Sequence, residues 1–253
     1  MKVYVINMES SPDRRKAMEN ELKNTPLNWE IFPAFDGRKM DTQQKDKIYD
    51  SITAKKVLRR DMSNGEIGCA VSHRSVYAKM IADNVPEAIV LEDDVFIDKD
   101  FVNVVENISR LCLQNSIVKL EDRCENLTAS VWGKIELGDK RHELKRSASH
   151  DCFGAYGYYL DLIAAKTLIR LNKKVFTVAD HWVYFSKFLK VYFCNPCVVR
   201  INQGLNKDSS IWEYDITAEY INSRRKYPRG INFIVRNMKK INLDWFRKFF
   251  LFF

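Results

Sequence analysis

Short apolar runs alternate with longer amphipathic stretches along most of the chain. Residues 2–7 (KVYVIN) are brief, β-branched and apolar, the pattern of a buried strand. The stretch SSPDRRKAMENELKN follows, with Ser11 placed as N-cap and Pro12 at the first helical position, where its missing N–H costs nothing. Further strands are predicted at residues 29–35 (WEIFPAF, stopped by Asp36-Gly37), 87–91 (EAIVL), 116–120 (SIVKL) and 191–196 (VYFCNP). Residues 65–83 read as a helix with a glycine-bearing entry, residues 154–171 as a strand running into a helix, and residues 180–189 (DHWVYFSKFL) as another helix. Residues 38–60 are polar and ambiguous, and 121–150 are charged and irregular, the pattern of an inserted loop. Strands alternating with helices imply an α/β fold, Rossmann-type, with a mostly parallel sheet covered by helices on both faces. Ligands of such sheets collect beyond the C-terminal strand ends.

Composition adds limits. Of 253 residues 46% are hydrophobic, enough for a core. No apolar run approaches the ~20 residues that span a bilayer, and the N-terminus lacks the marks of a signal peptide, so a cytoplasmic protein is expected. Cys194 and Cys197 form a C-x-x-C without a second pair or nearby histidines, and read as buried small apolar residues rather than as a zinc site. The net charge of +8 is carried entirely by the C-terminal stretch 224–253, where nine basic residues face a single acid, Asp244. Residues 1–223 are therefore expected to form the catalytic-looking domain and 224–253 a basic tail. A nucleic-acid-binding domain would spread its charge over a folded face, so no nucleic-acid partner is expected. In the tail, Ile234, Met238, Ile241, Trp245, Phe249 and Phe252 share one helical face with basic residues mostly elsewhere, the pattern of a helix lying peripherally on an anionic membrane surface. The alternative is a terminal helix packed on the domain or on a second subunit.

The chemistry centres on IVLEDDVFID. An apolar run ends in Glu92, Asp93 and Asp94, and apolar residues resume at once. Adjacent carboxylates held in place repel, and a divalent cation relieves the repulsion. Carboxylate oxygens without a thiol or imidazole suit Mg²⁺ or Mn²⁺, with substrate phosphates completing the coordination. In an extended segment residues 92 and 94 point to one side and 93 to the other, so Glu92 and Asp94 are expected to share one metal–diphosphate site, with Asp93 counted among the nucleotide-binding residues. Asn7, ending the first strand, can bind the nucleotide. Asp36 can hold a base or ribose hydroxyl, or simply make the Asp-Gly turn. Lys119, on a buried strand, needs a partner, which a diphosphate or the acidic triplet can supply; the alternative is snorkelling to the surface.

The chain resembles the bacterial lipooligosaccharide galactosyltransferases of glycosyltransferase family 25. The resemblance covers most of residues 1–215 and rests on VINMESSPDRR, GEIGCAVSHRSVYAK, VLEDDVFI, VKLE, GAYGYYLDLIAAKTL, VADHW and KDSSI in the family's order. It implies a GT-A-like fold, a UDP-sugar donor, commonly UDP-galactose, a lipooligosaccharide acceptor and inversion at the anomeric carbon. It favours Arg14 over a merely solvated arginine as a nucleotide contact, and gives Ser72 and His73 a donor-site role. An inverting transfer needs one base for the acceptor hydroxyl. The resemblance gives Asp180 the lead for that role, with Asp151 as its rival, and turns Tyr156 or Trp182 towards a sugar. A lipid-linked acceptor would account for an anchor at the inner membrane. Two other readings compete: a nucleotide-sugar hydrolase using the same metal site, and a non-catalytic membrane-bound protein that binds carbohydrate or nucleotide.

Overall fold

Parity along the central strands decides where the helices go. The computed structural model describes residues 1–121, 131–147, 154–202 and 204–205. In chain order the elements are β1 (Lys2–Asn7), α1 (Pro12–Leu22), β2 (Asn28–Pro33), a 3-10 turn (Gly37–Lys39), α2 (Thr42–Ile48), α3 (Ser51–Leu58), α4 (Asn64–Ala82), β3 (Glu87–Glu92), β4 (Val95–Ile97), α5 (Phe101–Arg110), β5 (Ser116–Lys119), β6 (Val131–Glu136), β7 (Glu143–Ser147), β8 (Gly157–Asp161), α6 (Leu162–Leu171), α7 (Trp182–Phe185), β9 (Lys190–Asn195) and β10 (Val199–Ile201). Val3, Val5, Ile89, Leu91, Val118 and Tyr159 turn to one face and pack with α1 and α5. Their neighbours Tyr4, Ile6, Ala88, Val90, Ile117, Tyr158 and Leu160 turn to the other and pack with α4 and α6. Both faces are thus buried, and the strands carry continuous apolar runs rather than alternating ones.

Eight strands form one sheet in the order β2-β1-β3-β8-β5-β9-β7-β6. β1 pairs in parallel with β2 and β3, and β5 with β9. β8 runs against both β3 and β5, and β7 against both β9 and β6. The sheet is therefore mixed, with six strands pointing one way and β7 and β8 the other. β4 and β10 make a separate antiparallel pair.

The α/β class and the helices on both faces agree with expectation; several local readings do not. Residues 131–147, read as part of a loop, contain the hairpin β6–β7, which extends the sheet through β9. Leu144 is buried there between two partly exposed neighbours, an edge-strand alternation overlooked among the charges. The ambiguous stretch 38–60 holds α2, opened by a reciprocal Asp41–Gln44 cap, and α3, capped by Asp50. Phe101, Val104, Val105 and Ile108 give α5 a buried stripe that the strand-centred reading passed over. The helix expected at residues 180–189 is four residues long. Pro12 does open α1, but Ser11 makes no side-chain capping bond. Cys194 and Cys197 are buried as expected, and burial pushes the Cys194 thiol up to about 12. Among the described residues no helix is long and apolar enough to cross a membrane. The tail 224–253 lies outside the described residues.

Candidate functional site

β3 lies between its parallel neighbour β1 and its antiparallel neighbour β8, and its C-terminal end delivers the acidic triplet. The strand stops at Glu92; Asp93 and Asp94 form a turn, and β4 begins at Val95. This corrects the expected alternation. Glu92 follows the parity of Ala88 and Val90 and faces α4, where its Oε1 lies 3.4 Å from His73 Nε2. The chain then turns, so Asp93 does not point away from Asp94. Both meet the same guanidinium: Arg14 Nη1 is 3.1 Å from Asp93 Oδ1 and 3.3 Å from Asp94 Oδ2. Arg14 Nη2 also donates to the Leu205 carbonyl at 3.0 Å. Asn7, at the end of β1, donates its amide to Asp93 Oδ2 at 2.7 Å and to the Ser11 carbonyl at 3.1 Å.

The structure therefore brings Asn7, Arg14, His73, Glu92, Asp93 and Asp94 together. Asp93 and Asp94 share one guanidinium, and the Glu92 carboxylate lies beside them without one. Burial, then the Glu92 charge, raise the Asp94 carboxyl from 3.8 to about 7. A crowded, under-neutralised set of oxygen donors at a strand end fits a divalent cation.

Helix α4 forms the wall opposite the strand end. Ser63 and Glu66 cap it reciprocally. Ser72 is buried; its hydroxyl accepts from Phe35 N–H at 2.8 Å and donates to the Gly68 carbonyl at 2.8 Å. It ties the loop after β2 to the helix and makes its bonds to backbone. Gly68 permits that contact, since a Cβ there would lie 2.8 Å from Phe35 O and 2.7 Å from Gly37 N. His73 is buried and stacks on Tyr158, with Nδ1 2.8 Å from the Tyr158 hydroxyl, which is in turn 2.7 Å from that of Tyr77. Cys69, one turn before His73, was not anticipated. Its thiol is pushed well up by burial and then by Glu92, Asp180, Glu66 and Asp94, in that order. A thiol and an imidazole do flank Glu92, contrary to the all-oxygen surroundings inferred from the sequence.

Asp180 is partly exposed, and its Oδ2 accepts from Gly154 N–H at 2.9 Å. Gly154 has φ of +91°, a conformation that suits glycine. The N-cap of α7 is His181, one residue after Asp180. Asp151 lies outside the described residues. Asp36 caps the 3-10 turn, accepting from Arg38 N–H at 3.1 Å and pairing with its guanidinium at 2.9 Å, which holds its carboxyl below the usual range.

Lys119 neither snorkels nor meets the triplet. It is fully buried and pairs with Glu121 at 2.5 Å. Glu121 also accepts from Tyr156 N–H at 2.9 Å and Gly157 N–H at 3.3 Å. Burial raises its carboxyl to about 7 despite Lys119. A Lys-x-Glu spacing on one strand face was the available signal for the pair. Tyr156 and Trp182, expected against a sugar, are 4% and 1% exposed, and the Trp182 indole donates to the Gly154 carbonyl at 2.6 Å. Both are core residues.

Residues 1–183 match the family model described as glycosyltransferase family 25 (LPS biosynthesis protein). A glycosyltransferase 25 family member of Drosophila pseudoobscura pseudoobscura is 32% identical over 188 residues, covering 67% of this chain and 28% of the relative. Human procollagen galactosyltransferase 2 is 24% identical over 184 residues, covering 67% and 27%. The chain thus spans less than a third of the length of these relatives. The solved galactosyltransferase LgtC, in complex with donor and acceptor sugar analogues, overlaps 76% of this chain and 73% of its own with a TM-score of 0.34 and 9% identity. The matched span runs from β1 through the acidic triplet and α4 to Asp180, and by that match the chain belongs to glycosyltransferase family 25.

Proposed function

We propose that this protein transfers galactose, with inversion, from UDP-galactose to a sugar hydroxyl of a lipooligosaccharide acceptor. The observation that carries the reading is the crowding of Glu92, Asp93 and Asp94 at the end of β3, where Asp93 and Asp94 share the Arg14 guanidinium. Family membership supports glycosyl transfer and a nucleotide-sugar donor. Galactose is favoured by the name of the human relative, and a lipopolysaccharide-type acceptor by the description of the family.

Glu92 and Asp94 would hold Mn²⁺ or Mg²⁺, which when bound neutralises the diphosphate as it leaves. Asn7 and Arg14 fix Asp93, so the strand end keeps its shape as charge arrives. Ser72 holds the loop after β2 against α4, which keeps Asp36 on the donor side. His73, locked by Tyr158, faces the same strand end. Asp180 accepts the proton of the acceptor hydroxyl while that oxygen forms a bond to the anomeric carbon and the bond to UDP breaks. No covalent sugar–enzyme intermediate is needed.

The test is a panel of nucleotide sugars with and without a truncated lipooligosaccharide. UDP-galactose should give a galactosylated acceptor of inverted anomeric configuration. Release of free galactose at the same rate without acceptor would sink the transferase reading and leave a hydrolase.

The basic tail is proposed as a peripheral anchor at the cytoplasmic face of the inner membrane. Full-length protein should co-sediment with anionic liposomes, less so at high salt, where screening shortens to about 3 Å at 1 M. Removing residues 231–253 should abolish that binding and leave transfer to a short soluble acceptor. Full-length protein that stays in the supernatant rules the anchor out.

A further inference from the structure

The side of Glu92 that faces α4 is chemically unlike the side that faces Asp94. Cys69 and His73 stand four residues apart on α4, hence on one face of the helix. A ligand atom from each of Cys69, His73 and Glu92 lies within 4.8 Å of the other two. The His73 Nε2 to Glu92 Oε1 separation of 3.4 Å is long for a hydrogen bond. It matches the edge, about 3.3–3.4 Å, of a tetrahedron whose nitrogen and oxygen corners sit ~2.0–2.1 Å from a central Zn²⁺. The imidazole is also oriented as a ligand. Its Nδ1 is held by Tyr158, and Tyr158 by Tyr77, both buried. Nδ1–H donating to Tyr158 leaves the Nε2 lone pair directed at Glu92, the arrangement in which a distant partner fixes the tautomer of a metal-binding histidine.

We propose that Cys69, His73 and Glu92 form a Zn²⁺ site with one open coordination position. Sulfur, nitrogen and oxygen donors together select zinc over the magnesium or manganese that carboxylates alone prefer. Three protein ligands leave a fourth place for water or a substrate oxygen. On binding, the Cys69 S–H bond breaks, the sulfur gives its electron pair to zinc, and the proton passes to solvent. The thiolate and the Glu92 carboxylate then balance the charge of the ion. Glu92 has a second oxygen, so this site does not compete for the carboxylate that the Asp94 side needs, and it stands whether or not the proposed transfer reaction is correct.

Cobalt(II) is the spectroscopic probe, used with the full-length chain. Wild type should bind Co²⁺ with a thiolate-to-metal charge-transfer absorption and lose that absorption on addition of one equivalent of Zn²⁺. Cys69→Ser should lose the absorption and bind Zn²⁺ at least tenfold more weakly in chelator competition. Tyr158→Phe should weaken binding while keeping the absorption, by about 10–100-fold for a residue that orients a ligand. Asp94→Asn should keep the absorption, because Asp94 is not a ligand of this site. Equal binding by wild type and Cys69→Ser, or cobalt binding without the thiolate absorption, overturns the proposal. Should Cys69→Ser not fold, alkylation of Cys69 in the wild type decides: zinc must protect it, and alkylation at an unchanged rate overturns the site.

Discussion

Asp180→Asn is expected to lower kcat by roughly 10²–10⁴-fold, the usual contribution of a general base, while donor affinity changes little. The substitution suits the question. Asp180 Oδ2 accepts the Gly154 N–H, and an asparagine carbonyl oxygen can accept the same bond. The turn at Gly154 therefore keeps its anchor, and what is lost is the capacity to take a proton. Single-turnover rates with saturating donor and acceptor, beside calorimetric UDP titration, separate the two quantities. A loss of only a few-fold would move the role elsewhere, with Asp151 the first candidate.

Asp94→Asn should abolish the gain in UDP affinity that Mn²⁺ confers, and should also change how stability depends on pH. Burial and Glu92 raise the Asp94 carboxyl to about 7 in the folded chain, from 3.8. The folded state thus holds the proton more tightly than the unfolded one. Stability is intact below about 3.8 and is lost as pH rises through about 7. At pH 8, without metal, the variant should be more stable than wild type, by on the order of 4 kcal/mol for a displacement of this size. At pH 5 the difference should shrink. Asp93 still holds Arg14 in the variant, so that guanidinium is not stranded. Mn²⁺ should stabilise wild type at pH 8 and leave the variant unmoved. Chemical denaturation at the two pH values, with and without Mn²⁺, measures all of this. A metal-induced UDP affinity equal to that of wild type would remove Asp94 from the ligands.

The strand end was legible in the sequence because an apolar run that stops on three acids and resumes at once reads as a buried strand ending at the edge where ligands of such sheets collect. The direction of Asp93 was not, because the extended geometry that places alternate residues on opposite sides ends at Glu92. Arg14 and Asn7 were visible as candidates, but their common partner Asp93 lies 79 and 86 residues away, and no local pattern states that pairing. Cys69 was passed over because a helical cysteine reads as a small apolar residue. Only the parity of β3, which sends Glu92 towards α4, turns it into part of a site. The hairpin β6–β7 was lost for a related reason: at a sheet edge one apolar residue in two suffices, and the charges between them imitate a loop.

The position of β8 has a consequence for synthesis. This strand fills the gap between β3 and β5, both of which precede it in the chain. Until Gly157–Asp161 leaves the ribosome, β3 has β1 on one side and an open row of amides on the other. About 65 residues separate the end of β3 from the start of β8, roughly 3–13 s of elongation at ~5–20 residues per second. During that interval the segment Glu87–Glu92 offers an apolar, unpaired edge to any other nascent strand. The acids that end it then act as gatekeepers, limiting association before they take part in any chemistry.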